Sequence, residues 1–124
     1  MSTATAKLSE NAPSAVAQRV LVTAEVTGSR FTIVTLTLPP FHPGVPVHAH
    51  AASAEGCYIL EGTLGVTQGE RTMMLKPGTA AHTPAGVAHS IWNPTAAPTT
   101  VLLIYTPALD EGAPESAPPF LDTS

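Results

Sequence analysis

Short runs of alternating or continuous apolar residues, separated by glycine and proline, dominate this chain from residue 19 to residue 107. The run RFTIVTLTL (30–38) alternates and is strongly β-branched, which predicts a strand. RVLVTAEVTG (19–28) reads as an earlier strand closed by a glycine turn, and VPVHAH (45–50) as a strand that follows the breaker PPFHPG (39–44). EGCYILEG (55–62) is a strand ending in a turn, and TLGVTQGERTMMLKPG (63–78) a hairpin around Gln68, Gly69 and Glu70. TAAHTPAGVAHSIWNPT (79–95) is two short strands about a Pro-Ala-Gly turn, and TTVLLIYTP (99–107) a last buried strand. No window carries helical periodicity. The pattern predicts an all-β domain, a sandwich or barrel, over residues 19–107, with flexible arms at 1–18 and 108–124.

Composition narrows the function. The chain has 124 residues, 44% of them apolar and only 11% charged, which suits one compact domain. Five Lys/Arg stand against nine Asp/Glu, and the basic residues Lys7, Arg19, Arg30, Arg71 and Lys76 are scattered. No basic stripe is present to neutralise phosphates, so nucleic acid is not an expected partner. No apolar run reaches the roughly 20 residues of a membrane span. The N-terminus has no apolar signal segment, and a single cysteine, Cys57, cannot form an internal disulfide; a cytoplasmic protein is expected.

The chemistry concentrates in VPVHAHAASAEG, residues 45–56. On a strand, residues i and i+2 share a face, so His48 and His50 project together. Glu55 opens the next strand after a short loop, and a third histidine, His89, follows the turn Pro84-Ala85-Gly86. An HxH pair alone is a weak motif, since a histidine is more often a surface or core residue than a ligand. The wider spacing is more specific. Gly44 precedes His48-x-His50; four residues later comes Glu55, and six residues after that Gly62. Gly78, five residues, Pro84-x-Gly86, two residues, His89, three residues and Asn93 follow.

These two patterns resemble the paired motifs of the cupin superfamily, and specifically its small, single-domain, metal-binding members. The second agrees at each defined position and the first from the histidine pair to Gly62; Gly44 stands two residues closer to the pair than the family pattern has it. The resemblance spans about residues 30–106. It implies an antiparallel jelly-roll β-barrel with a metal near one mouth, held by His48, His50, Glu55 and His89. One divalent transition metal per chain is implied, Fe, Mn, Ni, Cu or Zn, since all accept three imidazoles and a carboxylate.

Strand parity places Cys57 and Ile59 on the face of Glu55, and Ile91 and Asn93 on that of His89. Cys57 is either a pocket wall or a small buried hydrophobe. Asn93 stands either behind the ligands or as the anchor of the turn into NPT. His82 is either a proton shuttle at the pocket wall or a surface residue, and His42 is expected at the surface. Trp92 is expected to pack rather than bind. The rest of the wall is assigned to the strands 31–38, 63–75 and 99–107, with Phe31, Ile33, Met73 and Tyr105 among its members. Such a wall is apolar and suits an aromatic or otherwise hydrophobic small molecule; sugar phosphates need converging Arg and Lys.

Three function classes follow. The first is a dioxygenase or other oxygenase acting on an aromatic or enolisable substrate. The second is a non-redox isomerase, cyclase or lyase that uses the metal as a Lewis acid, with Glu55 as catalytic base. The third is a binding protein without catalysis. Open positions on the metal favour an enzyme. A homodimer is the assembly that the resemblance implies, consistent with the low charge and the exposed strand edges of an open barrel.

Overall fold

The computed structural model describes residues 16–44 and 46–109, so most of the two arms expected from the sequence lies outside the described residues. Residues 16–18 and 108–109 do not: Ala17 begins the first strand and Leu109 is buried in the core. The first strand thus begins before residue 19, and the core reaches past residue 107.

Among the described residues, eight strands form two antiparallel sheets. In chain order they are β1 (Ala17–Val22), β2 (Thr32–Leu38), β3 (Ala54–Glu61), β4 (Leu64–Gln68), β5 (Arg71–Leu75), β6 (Ala80–Thr83), β7 (His89–Trp92) and β8 (Thr99–Thr106). One sheet runs β1-β2-β8-β3-β6 and the other β5-β4-β7. Their inner faces share one core, with Val34, Leu36, Leu38, Ile59, Leu64, Val101, Leu103 and Tyr105 almost fully buried. This is the all-β fold that the pattern predicted, in the jelly-roll form that the resemblance implied.

Three local readings are corrected. Residues 23–28 do not continue β1. A four-residue helix, α1 (Ala24–Thr27), replaces the strand, because Thr23 caps it through its side chain and Gly28 ends it in the left-handed region at φ 66°. Residues 46–50 do not form a strand either. Pro43 and Pro46 offer no N–H to a ladder, and only His48 makes an isolated bridge, to His89. On β2 the inward set is Thr32, Val34, Leu36 and Leu38, paired across β8 with Tyr105, Leu103, Val101 and Thr99. Phe31 and Ile33 have the opposite parity, so they sit on the outer side and do not line the pocket. Alternation locates the strand; which of its two faces is inside depends on its partner.

Two anchors hold the 39–50 loop against the barrel. Gly44 lies at φ 78°, and an added Cβ would fall 1.6 Å from the Ile91 carbonyl oxygen, so only glycine fits there. Asn93 is 2% exposed and gives its whole amide to its neighbours. Its Nδ2 donates to the carbonyls of Leu38 (3.1 Å), Pro39 (2.9 Å) and Ala97 (2.8 Å). Its Oδ1 accepts from the Thr95 N–H (2.9 Å) and hydroxyl (2.8 Å). Asn93 is thus a structural knot at the end of β7 and not a residue behind the ligands. Trp92 packs its indole over Gly65, where a Cβ would come within 2.3 Å of the ring.

Asn93→Ala strands three carbonyls at once. It is expected to cost about 3 kcal/mol and to lower the thermal midpoint by roughly 10 °C or more, read by circular dichroism on heating. An unchanged midpoint would contradict the anchoring role.

Candidate metal centre

The three histidines meet because two segments are laced edge to edge. The His48 N–H donates to the His89 carbonyl (2.9 Å), the His89 N–H to that of His48 (2.8 Å), and the Gly86 N–H to that of His50 (2.9 Å). The rings of His48 and His50 stand 5.1 Å apart, those of His48 and His89 4.4 Å, and those of His50 and His89 5.4 Å. One ring nitrogen from each lies within 4.8 Å of the others, a group that could hold a metal ion. Glu55, at the start of β3, points its Oε1 to 3.5 Å from His50 Nε2 and 3.3 Å from His89 Nε2. Ligands bonded at about 2.0–2.1 Å to one ion stand roughly 3.0–3.4 Å apart, so these separations are close to what coordination requires.

Tautomers are set from behind. His48 Nδ1–H donates to the Pro46 carbonyl (3.0 Å) and His89 Nδ1–H to that of Val87 (3.0 Å), which leaves each Nε2 as a bare lone pair. The Nε2 atoms of His48, His50 and His89 and Oε1 of Glu55 are buried without a hydrogen-bond partner. Three ring nitrogens within 4.8 Å of one another, with a carboxylate oxygen beside two of them, fit a divalent cation better than any neutral occupant, so the residues present fit the implied metal.

Electrostatics agree. Burial, reinforced by the neighbouring His89 and His50, lowers the pKa of His48 despite the Pro46 hydrogen bond, so its imidazole is neutral at pH 7. Burial would raise the pKa of Glu55, but its interactions with His50 and His89 win and hold it at about 2. Burial would lower that of His89, and the Glu55 carboxylate reverses the sign, so it is raised. A carboxylate held this low is a weak general base, which counts against the catalytic-base role expected of Glu55.

Cys57 and Ile59 are buried on the inner face of β3, and Ile91 on that of β7. Burial, then the Glu55 charge, push the Cys57 thiol pKa up, so it is an inert small hydrophobe and not a thiolate. Met73 is half-buried against the core. Tyr105 faces Glu55 across β3 and β8, and its ring stands 5.2 Å from His50 at 75°. Its Oη is buried and has no hydrogen-bond partner. His82 is exposed, on the outer side of β6 opposite Gly56, so it neither lines the pocket nor stands behind a ligand. His42 is half-buried and its Nδ1 accepts from the Gly44 N–H (2.9 Å).

Two residues beside the ligands carry no motif in the sequence. Thr83 is buried opposite Glu55, and Gln68 pairs with His89 across β4 and β7. The Gln68 Nε2 donates to the Thr83 hydroxyl (2.8 Å) and to the His82 carbonyl (2.7 Å), which ties the two sheets together beside the ligands. Parity with the buried Leu64 and Val66 could have found Gln68; Thr83 is hidden when the face of β6 is read from His82.

Replacing His48, His50 or His89 by Ala is expected to abolish stoichiometric metal, measured by elemental analysis of reconstituted protein, and Glu55→Gln to weaken affinity about a hundredfold. Protons compete for the imidazoles, so occupancy should rise with pH and fall as pH drops below about 6. The metal-free protein carries the opposite dependence at His89. Its ion pair with Glu55 adds stability fully below the usual histidine value of 6.5 and loses it as pH rises through the raised value. The share from Glu55 is present above its usual 4.5 and lost as pH falls toward about 2. Melts of metal-free protein across these ranges check the signs.

Known proteins share this architecture. A family model described as Cupin domain matches residues 34–105. Among solved structures, the TT1209 protein from Thermus thermophilus is 31% identical, with 77% of this chain and 87% of that one covered at a TM-score of 0.69. A predicted oxalate decarboxylase from Thermotoga maritima is 25% identical, with 73% and 79% covered at a TM-score of 0.69. KdgF from Halomonas sp. is similar in fold alone, 15% identical over 82% and 87% at a TM-score of 0.68. No curated protein matches. The family match across β2 to β8, on the same residues that bring the three histidines together, establishes that this chain belongs to the cupin family.

Proposed function

We propose that the protein is a metal-dependent cupin oxygenase acting on an aromatic or enolisable hydrophobic small molecule. The observation that carries this reading is the set of three buried, bare Nε2 atoms and one low-pKa carboxylate set into an otherwise apolar wall. When bound there, a divalent metal supplies a Lewis-acidic centre of one net positive charge, and a redox-active one if it is Fe, Mn or Cu. The chain's own part is threefold. The Pro46 and Val87 carbonyls orient two imidazoles, Glu55 brings the one negative charge, and the buried core that holds them, Val34, Ile91 and Leu103 among it, is apolar. Arg19, Arg30, Arg71 and Lys76, the cationic side chains among the described residues, are all exposed. Nothing cationic on the inner wall would receive a phosphate or a second carboxylate.

A lyase reading is the alternative, favoured by the 25% identity to a predicted oxalate decarboxylase. The apolar wall weighs against a dicarboxylate substrate. Oxygen uptake by Fe- or Mn-loaded protein with catechols and 1,3-dicarbonyls decides between them. Uptake above the free-metal background, lost in His89→Ala, is expected; product formed equally well without oxygen would replace the oxygenase by the lyase.

A homodimer in the cytoplasm completes the proposal. The outer face of the five-stranded sheet carries Ile33, Leu102 and Ile104 beside Tyr58 (42% exposed) and Leu60 (46% exposed), an apolar surface suited to a second copy. Among the described residues, no helix is long and apolar enough to cross a membrane. Light scattering should give twice the chain mass, and Leu60→Glu should give the monomer; a monomeric wild type would contradict the assembly.

A further inference from the structure

Among the described residues, buried side-chain nitrogen and oxygen atoms without a partner fall into two groups. One is the carboxamide of Gln18 on β1. The other comprises the ring nitrogens named above, His50 Nδ1, Glu55 Oε1 and Tyr105 Oη. A cation satisfies lone pairs, so it accounts for the three Nε2 atoms and for the carboxylate. It does nothing for a hydroxyl hydrogen, nor for the Nδ1–H that His50 then carries. Each of the other buried hydroxyls nearby has a partner in the protein: Ser53 donates to the Pro107 carbonyl (2.8 Å), and Thr32 and Thr83 accept from the Leu109 N–H (3.1 Å) and Gln68 Nε2 (2.8 Å). Tyr105 keeps its O–H unengaged beside the ligand set.

Its placement is well determined. Tyr105 is 0% exposed, faces Glu55 across the β3–β8 ladder and Thr32 across β2, and stands edge-on to His50 with centroids 5.2 Å apart. A phenol is a neutral hydrogen-bond donor at pH 7. Glu55 acts on the phenol through its charge and, at longer range, as an acceptor, but no partner lies in hydrogen-bonding geometry to Oη. A phenylalanine there would fill the same core volume. A phenol that donates to nothing leaves a buried polar group unsatisfied, at a cost of about 1–3 kcal/mol. The hydroxyl therefore makes physical sense as a donor to an oxygen that arrives with the ligand.

We propose that Tyr105 is a specificity-determining residue: its hydroxyl donates a hydrogen bond to the anionic oxygen of a phenolate or enolate substrate seated beside His48, His50 and His89. The inference rests on the metal-dependent reading above but not on its oxygen chemistry. The hydrogen bond selects for an oxyanion over a neutral nitrogen ligand and fixes which oxygen of the substrate faces the imidazoles.

The test compares Co²⁺-loaded wild type with Tyr105→Phe by metal analysis, melting and ligand titration followed in the visible spectrum. Two probes are titrated: 4-nitrocatechol, which brings oxyanions, and imidazole, a neutral ligand with no oxygen. Tyr105→Phe should keep the metal-to-protein ratio and the affinity for imidazole, and bind 4-nitrocatechol roughly tenfold more weakly. Equal 4-nitrocatechol affinities, absence of 4-nitrocatechol binding to wild type, or equal weakening of both probes would overturn it. Loss of metal from Tyr105→Phe would overturn it too, since the residue would then be holding Glu55 as a ligand. These affinities do not depend on turnover, so a failure of the oxygen-uptake experiment and a failure here are separate results.

Discussion

The pair of backbone hydrogen bonds between His48 and His89 is the constraint on which the site depends. The segment carrying His48 and His50 belongs to neither sheet. It is held by a run of antiparallel contacts against the far side of β7: Phe41 N–H to the Thr95 carbonyl, Asn93 N–H to that of His42, Gly44 against Ile91, then the His48–His89 pair and Gly86 N–H to His50. Each contact fixes the loop by backbone atoms, which leaves the imidazoles free for chemistry. Phe41 accepts a left-handed φ of 55° to keep this register, a strain that the neighbouring anchors over-determine.

The same lacing explains the charge arrangement. Histidines brought this close repel one another once protonated, and burial adds to the penalty, so the site resists the imidazolium form at His48. Glu55 offsets this at His89, where a proton and a cation compete for the same lone pair. The carboxylate thus serves whichever positive charge is present. That is a reason for a glutamate, not a fourth histidine, at the head of β3: a fourth imidazole would be a further lone pair with no charge to balance the cation.

Much of this is legible without coordinates, for a definite reason. Period-two alternation and turn chemistry are local properties, so β2, β3, the β4–β5 hairpin and β8 can be read from the chain itself. The ligand set is legible because its spacing reflects a fixed register between two motifs. What fails is non-local. Alternation alone sends Phe31 and Ile33 inward, because a strand does not announce which face its neighbours will cover. The 45–50 segment reads like a strand because the cost of Pro43 and Pro46 shows only once a ladder partner is sought. His82 draws attention as a histidine, while Thr83, a residue of no motif, occupies the inner position beside Glu55. Residues 24–27 read as β from Val26 and Thr27, yet Thr23 as a cap and Gly28 as a stop outweigh those two β-branched residues.

The wall and the charge together bound the substrates that the proposed activity can accept. A divalent ion and Glu55 sum to one positive charge, and no other cationic side chain among the described residues reaches the inner face. Under the proposed activity, a substrate bringing one oxyanion neutralises that charge and needs no further counter-ion from the chain. A second carboxylate would sit in the same apolar surroundings with no counter-ion, and an unpaired buried charge costs several kcal/mol or forces protonation. Selection for a single oxyanion on an apolar body therefore needs no dedicated recognition loop. It follows from where the described residues carry their charges: four Lys and Arg side chains on the surface, one carboxylate inside.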